Sequence, residues 1–391
     1  MSKTMSSTVT VQYALTRDQL DFRDVIRQLV ADRVRPRAAE IDATSEFPED
    51  VRRLFADQDL LGLPFEESHG GTGTGALMLC VAIEEVAKAC ASSALILAVQ
   101  DLGTLPVRLA GSAELQDRVL PRFASGEWLA AFALSEPDAG SDAGAMRTRA
   151  ERRGEAWVLN GTKNWISNAG VAGAYVVFAV TDPAVTSSKG ITAFLVEADS
   201  PGFAVASLEH KMGMRGSPTG QLVFEDVVVP EANVIGRPGE GFKVAMRTLD
   251  HSRLGIAAQA LGIAQGATDY AAAYARERIA FGKPINELQA IQFKLADMET
   301  RTAAARELLY RAAAKADAGE ADLGKYSAMA KLFCSDTAMA VTVEAVQVLG
   351  GYGYVTEYPV ERMMRDAKLT QIYEGTNEIQ RVVIGRALRA G

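Results

Sequence analysis

An acidic residue near the carboxyl end of the chain has the type and the setting that proton transfer requires. Glu374 lies within residues 372–378, a short segment directly ahead of a predicted helix. A carboxylate is a better base for a weak carbon acid where water is excluded, because burial raises its pKa. A carboxylate ahead of a helix also stabilises the helix dipole, and Asn377 with Gln380 resembles a capping box. The segment alone therefore leaves two interpretations open, a helix-terminal charge and a catalytic base.

Three further stretches combine small, hydroxyl and aromatic residues in a way that suits a planar or phosphorylated ligand. Residues 132–142 place hydroxyls and small side chains after a hydrophobic strand, where backbone donors can approach a ring or a phosphate. Residues 164–168 alternate an aromatic side chain with a hydroxyl, and residues 347–354 are rich in glycine. Taken singly, these stretches are better explained as a surface turn, sheet packing and a helix C-terminus.

Composition excludes several classes of function. The net charge of -8 argues against nucleic acid as a partner, because phosphate binding needs clustered Lys and Arg. Three cysteines without a CxxC spacing, and three scattered histidines, predict neither a disulfide framework nor a metal site and fit a reducing cytoplasm. No apolar run reaches the roughly 18 residues of a membrane span, which predicts no integral membrane segment. Residues 1–13 have no signal-peptide pattern and are predicted to be a disordered lead-in.

The elements that must position these residues follow in the order helix, strand, helix. Hydrophobic residues recur at helical spacing from about residue 15 to 123, and Thr16 with Gln19 forms a capping box at the start. Short β-rich runs follow, and Asn160-Gly161 between two of them predicts a hairpin turn. Because no long helix interrupts these runs, we expect an antiparallel sheet or barrel and not a dinucleotide-binding unit. Long Ala-rich helices are then predicted over 242–278, 286–318 and 323–349.

Taken together, the motifs resemble those of the acyl-CoA dehydrogenase family, and the likeness runs from about residue 14 to 389. Residues 133–142 and 347–366 are similar to the two signatures of that family, with every spacing kept. The remaining likenesses are to two flavin-contact elements and to the catalytic loop, at residues 164–168, 278–282 and 372–376. The amino-acid sequence is most similar to those of the short-chain and short/branched-chain members of the family.

The resemblance implies an α+β fold in three domains. The N-terminal helical domain would cover residues 14–128, the middle antiparallel β-barrel or sheet domain 129–236, and the C-terminal four-helix-bundle domain 237–391. It also implies an FAD cofactor and a homotetramer, which the long helices of the last domain favour as well.

The resemblance further implies a role for individual residues. Glu374 would be the catalytic base, and the position that supplies the base in some relatives is occupied here by Ser252, which cannot replace it. The acyl-CoA would contact Ser141, Asp250, Arg253 and Gly375. The FAD would contact Phe132, Leu134, Ser135, Ser141, Trp165, Ser167, Arg278, Phe281, Gln289, Gln347, Gly351, Thr376 and Glu378, of which Arg278, Phe281, Gln347 and Gly351 would hold an FAD bound to the neighbouring subunit.

The implied reaction is the α,β-dehydrogenation of a short- or branched-chain acyl-CoA to a trans-2-enoyl-CoA, as in fatty acid β-oxidation. Glu374 would remove the α-proton, the β-hydrogen would leave as hydride to the flavin, and an electron-transfer flavoprotein would accept the electrons. Three alternatives stay open on the same scaffold, namely an acyl-CoA oxidase, a flavin monooxygenase and a non-catalytic FAD-bound scaffold protein. An intact Glu374 counts against the last two of these alternatives.

Overall fold

The computed structural model describes residues 14–185 and 187–390, so the predicted lead-in at 1–13 lies outside the described residues. The first part of the chain is helical, as predicted. Its first helix begins after Thr16, whose hydroxyl accepts from the Gln19 amide while the Gln19 side chain accepts from the Thr16 amide. This pair of bonds confirms the predicted capping box. The helices are α1 (Arg17–Leu29), α2 (Ala38–Thr44), α3 (Glu49–Asp57), α4 (Gly75–Ala87), α5 (Ala91–Ala110) and α6 (Ala113–Ala124).

The middle part is one β-sheet, which is mixed and not purely antiparallel. The sheet has the order β6-β7-β3-β2-β4-β5-β8, and β1 pairs in parallel with β4. The other extended pairings are antiparallel, as the short β-rich runs predicted. The strands are β1 (Ala130–Ala133), β2 (Arg149–Arg153), β3 (Ala156–Ser167), β4 (Ala174–Val180), β5 (Ile191–Glu197), β6 (Phe203–Leu208), β7 (Thr219–Pro230) and β8 (Val234–Ile235), with the short helix α7 (Ser187–Gly190) before β5.

The predicted hairpin turn at Asn160-Gly161 is wrong. Strand β3 runs unbroken through both residues, and its register with β7 shifts between Leu159 and Gly161. Asn160 is held to the neighbouring strand, because its side chain donates to the Asp226 carboxylate and accepts from the Asp226 amide. Gly161 has a φ of +147°, so the Asn-Gly pair makes an irregularity in a long strand where a turn was expected.

The last part returns to long helices close to the predicted ranges. Helix α10 packs against α8, α9 and α11, which forms the C-terminal bundle. A two-stranded ladder, β9 (Ile279–Ala280) with β10 (Lys283–Pro284), follows α8. The helices are α8 (Gly241–Glu277), α9 (Gln289–Asp317), α10 (Leu323–Leu349), α11 (Pro359–Thr370) and α12 (Asn377–Ala390).

Helix α8 joins the two helical parts into one body. It packs against α4 and α5 on one side and against α10 on the other, and the residues of both parts share a single hydrophobic cluster. The approach to α4 is close, since a Cβ on Gly262 would lie 2.3 Å from the Glu84 carbonyl oxygen. The sheet keeps its own apolar clusters. The domain boundaries given above stay a prediction.

One buried link ties the sheet region to the C-terminal helices. The Met214 amide donates to the Asp366 carboxylate, and both residues are buried. Burial raises the pKa of Asp366 to about 6. The Gly213 backbone approaches Arg365 so closely that a Cβ there would lie 2.7 Å from the Arg365 carbonyl. Helix α11 is therefore fixed against the β region just before the segment that carries Glu374.

Two helical stretches are long and apolar enough to meet the criteria of a membrane span by length and composition. The sequence-based expectation that no apolar run is this long is therefore wrong by these criteria. The two stretches are Ala91–Ala110 and Leu323–Tyr354, and 83% and 50% of their most apolar windows are buried inside the protein. Buried helices of a globular core meet the same criteria, and α5 is one of them.

We expect Gly262→Ala to destabilise the protein by about 1–3 kcal/mol, because the added methyl group has no room between α8 and α4. The measurement is urea-induced unfolding followed by circular dichroism. Gly385→Ala is the matched control, since Gly385 lies on α12 with nothing within 4 Å of an added Cβ. A Gly262→Ala protein as stable as the control variant would contradict the close approach of the two helices.

Candidate active site

The segment between α11 and α12 holds Glu374 in a constrained backbone conformation. Glu374 has a φ of +50°, in the left-handed region that residues other than glycine rarely adopt. The Gln380 side-chain amide donates to the carbonyls of Glu374 and Gly375 at 3.2 and 2.8 Å. The Lys331 ammonium donates to the same Gly375 carbonyl at 2.8 Å. Two side chains from different helices therefore clamp the backbone that carries the carboxylate.

Glu374 is half-buried, and its carboxyl group is held by a hydroxyl. Ser252 on α8 donates to its Oε2 at 2.6 Å. Burial raises the pKa of Glu374 to about 7, although the Ser252 bond and the charges of Arg253 and Lys331 oppose that rise, and the charge of Asp101 adds to it. The carboxylate therefore changes its protonation state near neutral pH, which is the range in which a general base is most effective.

A buried guanidinium lies beside this carboxylate. Arg253 is 3% exposed, and its Nη1 donates to Asp250 Oδ1 at 2.8 Å. Its Nε has no partner among the described residues. A buried donor without a partner is costly, so this atom is available to a polar ligand. The predicted substrate residues Asp250, Arg253 and Gly375 thus lie together near Glu374, whereas Ser141 lies in an exposed loop after β1.

The helix that follows Glu374 is capped differently from the sequence-based expectation. The hydroxyl of Thr376 accepts from the Ile379 amide at 3.4 Å, so Thr376 and not Asn377 takes the capping place. The Asn377 side chain turns to α10 instead, where its amide donates to Ser335 Oγ at 2.9 Å and to Asp336 Oδ1 at 2.7 Å. The predicted capping box of Asn377 with Gln380 is therefore wrong, because the Asn377 side chain binds α10 and the Gln380 side chain binds the carbonyls of Glu374 and Gly375.

A second group of predicted residues lies at the end of strand β3. The Asn164 amide donates to the Ser135 carbonyl at 2.9 Å, which brings the segment after β1 beside the strand. Trp165 has a φ of +61° and is 59% exposed, and Ser167 is half-buried. The Asn164 side-chain oxygen is buried without a partner among the described residues. This strand end therefore presents an aromatic face, a hydroxyl and a free acceptor together.

A buried ion pair braces that strand end. Lys163 is 0% exposed, and its ammonium donates to Glu136 Oε1 at 2.8 Å and to the Leu134 carbonyl at 3.0 Å. Glu136 also accepts from the backbone amides of Arg147 and Thr148. Burial lowers the pKa of Lys163 to about 8, and the Glu136 charge opposes that fall. Phe132, by contrast, packs against Phe178 with ring centroids 5.0 Å apart.

The third group lies at the far end of α8. Arg278, Phe281 and Gly351 line one cavity of about 550 Å³, together with Tyr274 and Tyr352. Arg278 lies over the Tyr352 ring at 5.2 Å, and Phe281 is 92% exposed. The other residues predicted for this end of the cofactor do not line the cavity: Gln347 and Gln289 are exposed on α10 and α9, and Thr376 and Glu378 lie at the start of α12.

Several functional candidates were missed from the sequence. Lys331, Lys163 and Gln380 are each fully buried and each hold backbone beside a predicted site residue. A lysine within the apolar run of α10 was the signal available for Lys331, because lysine is rarely buried without a specific partner. Residues 14–185 and 187–390 contain no His, Cys, Asp and Glu group arranged to hold a metal ion, and the three cysteines are buried and free.

Comparisons with known proteins agree in all three parts of the chain. Family models for the acyl-CoA dehydrogenase N-terminal, middle and C-terminal domains match residues 16–127, 131–227 and 239–389. A probable acyl-CoA dehydrogenase of Mycobacterium tuberculosis, FadE25, is 50% identical over 376 residues, which cover 96% of each chain.

Two solved structures are similar over nearly the whole chain. Butyryl-CoA dehydrogenase of Megasphaera elsdenii has a TM-score of 0.94 at 43% identity, with 97% of this chain and 100% of that chain covered. A chain in a structure described as the electron transferring flavoprotein of Acidaminococcus fermentans has a TM-score of 0.94 at 42% identity, with 96% and 99% covered.

We expect Ser252→Ala to raise the pKa of Glu374 by roughly one unit, because the lost hydrogen bond stabilises the ionised carboxylate. The measurement is a carbon-13 NMR titration of protein labelled at the glutamate carboxyl, with the Glu374 signal assigned by its absence in Glu374→Gln. Ser327→Ala removes another buried helix serine and is expected to leave the titration unchanged. A Glu374 pKa that stays constant or falls in Ser252→Ala would show that the hydroxyl does not hold the carboxylate.

Proposed function

Because this chain belongs to the acyl-CoA dehydrogenase family and is an FAD-dependent acyl-CoA dehydrogenase, we propose that it dehydrogenates short- or branched-chain acyl-CoA thioesters with Glu374 as the general base. The observation that carries this proposal is the half-buried carboxyl of Glu374, which Ser252 holds at 2.6 Å and whose pKa is raised to about 7. A base with that pKa is largely ionised at pH 8 and still accepts a proton readily.

The surroundings of Glu374 suit the removal of a proton next to a thioester carbonyl. The clamp by Gln380 and Lys331 fixes the backbone, so the carboxylate keeps one position relative to a bound substrate. Exclusion of water strengthens every hydrogen bond to the negative charge that develops on the thioester oxygen. Ser252 donates to the carboxylate before the reaction and is a poor base itself, which leaves Glu374 as the proton acceptor.

The residues at the end of β3 and beside α8 fit a flavin dinucleotide. The exposed Trp165 offers a face to a planar ring, and the Asn164 side-chain oxygen, which has no partner in the part of the chain that the structure describes, offers an acceptor to a ring N–H. The cavity with Arg278 and Phe281 offers a cation and an aromatic surface to a phosphorylated nucleoside. Bound FAD supplies the acceptor for the β-hydrogen, which leaves as hydride.

The proposed cofactor contacts fall into two sets. Around the flavin ring we place the residues of β1, the following loop and β3, namely Phe132, Leu134, Ser135, Ser141, Trp165 and Ser167. Around the nucleotide end, which the neighbouring subunit would contribute in part, we place Arg278, Phe281, Gln289, Gln347, Gly351, Thr376 and Glu378. The brace of Lys163 on Glu136 supports the first set, because it fixes the loop that follows Ser135.

The CoA portion of the substrate needs local cations, since the chain as a whole is anionic at a net charge of -8. We assign the role of the cation to Arg253, whose buried Nε has no partner among the described residues. Asp250 and Ser141 would contact the CoA portion as well. Gly375, next to Glu374, would contact the thioester. A short acyl chain is supported by the likeness to butyryl-CoA dehydrogenase of Megasphaera elsdenii, at 43% identity.

Partners and location follow by the same reasoning. An electron-transfer flavoprotein is the proposed electron acceptor, which the structural likeness to the Acidaminococcus fermentans chain supports. A homotetramer is supported by exposed apolar side chains on α9 and α10, with Phe293 at 60% and Phe333 at 41% exposure. A cytoplasmic location and a role in fatty acid β-oxidation are supported by the free cysteines and by the family.

Glu374→Gln is expected to lower the rate at which short acyl-CoAs bleach the yellow protein without oxygen by at least about 100-fold, because an amide cannot accept the α-proton. The measurement is stopped-flow absorbance of the bound flavin, with butyryl-CoA, isobutyryl-CoA and longer straight chains as substrates. The FAD content of the variant is expected to equal that of the unchanged protein.

Glu307→Gln is the matched control, since Glu307 is an exposed acid on α9, and it is expected to bleach at the unchanged rate. Turnover retained in Glu374→Gln would show that the base lies elsewhere. A protein that no acyl-CoA bleaches at any chain length would contradict the dehydrogenase proposal as a whole.

A further inference from the structure

Helix α10 carries an ammonium group inside the protein at the point where it meets the Glu374 segment. Lys331 is 0% exposed and lies in a run of α10 that is otherwise apolar or small. Burial of a lysine is unfavourable unless its charge is compensated. Its Nζ donates to the Gly375 carbonyl at 2.8 Å and to Asn377 Oδ1 at 3.0 Å. Lys331 thus binds the backbone of Gly375 and the side chain of Asn377, which lie at the two ends of one short turn.

The stretch that these contacts hold follows directly after Glu374. Glu374 has a φ of +50°, and such a backbone persists only where surrounding contacts enforce it. Lys331 holds the residue after Glu374, and Asn377 carries the restraint on to α10 through Ser335 and Asp336. Arg381 also donates to this stretch, to the Asn377 carbonyl at 3.1 Å, but among the described residues Lys331 is the one cation that donates to Glu374, Gly375 or Thr376. The pose of the carboxylate therefore depends on Lys331 directly.

The charge of Lys331 also acts on the carboxylate. The groups that face Glu374 are Ser252 and Arg253 from α8, Lys331 from α10 and Asp101 from α5. Of these, Lys331 and Arg253 favour the ionised carboxylate and Asp101 disfavours it. Arg253 is already paired with Asp250, so Lys331 is the cation whose contacts are to the Glu374 turn itself.

Lys331 itself changes its protonation state near neutral pH. Burial lowers the pKa of Lys331 to about 7, while the charges of Glu374, Asp336 and Glu378 oppose that fall and that of Arg253 adds to it. Two coupled groups with pKa values near 7 titrate as a pair. The direction of the coupling is definite, because a positive charge beside a carboxylate always favours its ionised form.

We propose that Lys331 is a positioning residue for the dehydrogenation, which holds the Glu374-Gly375-Thr376 turn and supplies a positive charge that favours the ionised form of Glu374. The proposal rests on the proposed role of Glu374 as the base. Lys331 itself acts through Glu374 and needs no contact with the substrate. A merely structural lysine would affect folding and leave the pH dependence of the reaction unchanged.

The first test is the pH profile of flavin bleaching in Lys331→Met and Lys331→Gln holoenzymes. The rate increases with pH as Glu374 ionises. Loss of the positive charge is therefore expected to shift the midpoint of this increase to a higher pH, by roughly one unit, in both variants. Lys331→Met also loses the bond to the Gly375 carbonyl, and its plateau rate is expected to fall by about tenfold or more. Lys331→Gln keeps an N–H donor, so its plateau is expected to fall less.

Two further variants separate charge from position. Asn377→Ala keeps the ammonium but removes one of its acceptors and the bridge to Ser335, so it is expected to lower the plateau and leave the pH of the rise unchanged. Lys211→Met is the matched control, because Lys211 is a half-buried lysine that also donates to a backbone carbonyl, that of Ser217 at 2.8 Å. It is expected to leave both the plateau and the pH of the rise unchanged.

A measurement without turnover checks the same point. The midpoint of the carbon-13 titration of the Glu374 carboxyl is expected to shift to higher pH in Lys331→Met, by the same amount as the midpoint of the pH–rate profile.

An unchanged titration and an unchanged pH–rate profile in a Lys331→Met protein that binds FAD would overturn the proposal. So would failure of both Lys331 variants to fold, which would make Lys331 a folding residue only. If Glu374→Gln retains turnover, the proposed base is wrong; if Glu374→Gln is inactive and Lys331→Met behaves as the unchanged protein, only the role of Lys331 is wrong.

Discussion

Burial of the Glu374 carboxyl group is the constraint around which this end of the molecule is arranged. Removal of a carboxylate from water is costly, and burial raises the pKa of Glu374 to about 7 even though nearby donors and cations partly offset the loss of water. Helix α8 contributes the Ser252 hydroxyl and the Arg253 charge, and helix α10 contributes Lys331. The short segment between α11 and α12 can carry its base only because these two long helices meet there.

That meeting depends on small side chains elsewhere in the molecule. Helix α8 approaches α4 at Gly262 and Gly266, where an added Cβ would lie 2.3 Å from a carbonyl oxygen of α4 or of the residue that follows it. The close approach lets α8 pack against the N-terminal helices and α10 at once. The link from Met214 to Asp366 then fixes α11 against the β region. Helix packing far from Glu374 thus determines which groups surround it.

Electrostatics in this chain are local. The net charge of -8 would repel an anionic thioester of CoA, yet the described sites place single cations where an anion would bind or form. The Nε of Arg253 has no partner within residues 14–185 and 187–390, and Arg278 lies over the Tyr352 ring beside the cavity at the end of α8. Each cation is buried or stacked, which makes its charge more effective than it would be in water.

The sequence by itself determined the family, the order of helices, sheet and helices, and Glu374 as the candidate base. These depend on local periodicity and on motifs whose residues are adjacent in the chain, as with the capping box of Thr16 and Gln19. Motif likeness also predicted cofactor residues near β3 and α8, and these roles stay a prediction; Gln347 and Gln289 lie outside the cavity that Arg278 and Phe281 share.

Only the tertiary structure decided what local patterns left open. Asn160-Gly161 has the composition of a turn, but pairing with Asp226 on β7 keeps β3 continuous. Asn377 has the composition of a helix cap, but partners on α10 take its side chain. Lys331 is 43 residues before Glu374 in the chain, and nothing local to either residue reveals their proximity. The physical reason is common to all three: the partners of these side chains are distant in sequence, and hydrogen bonds or charge interactions formed between elements of the fold outweigh a local preference.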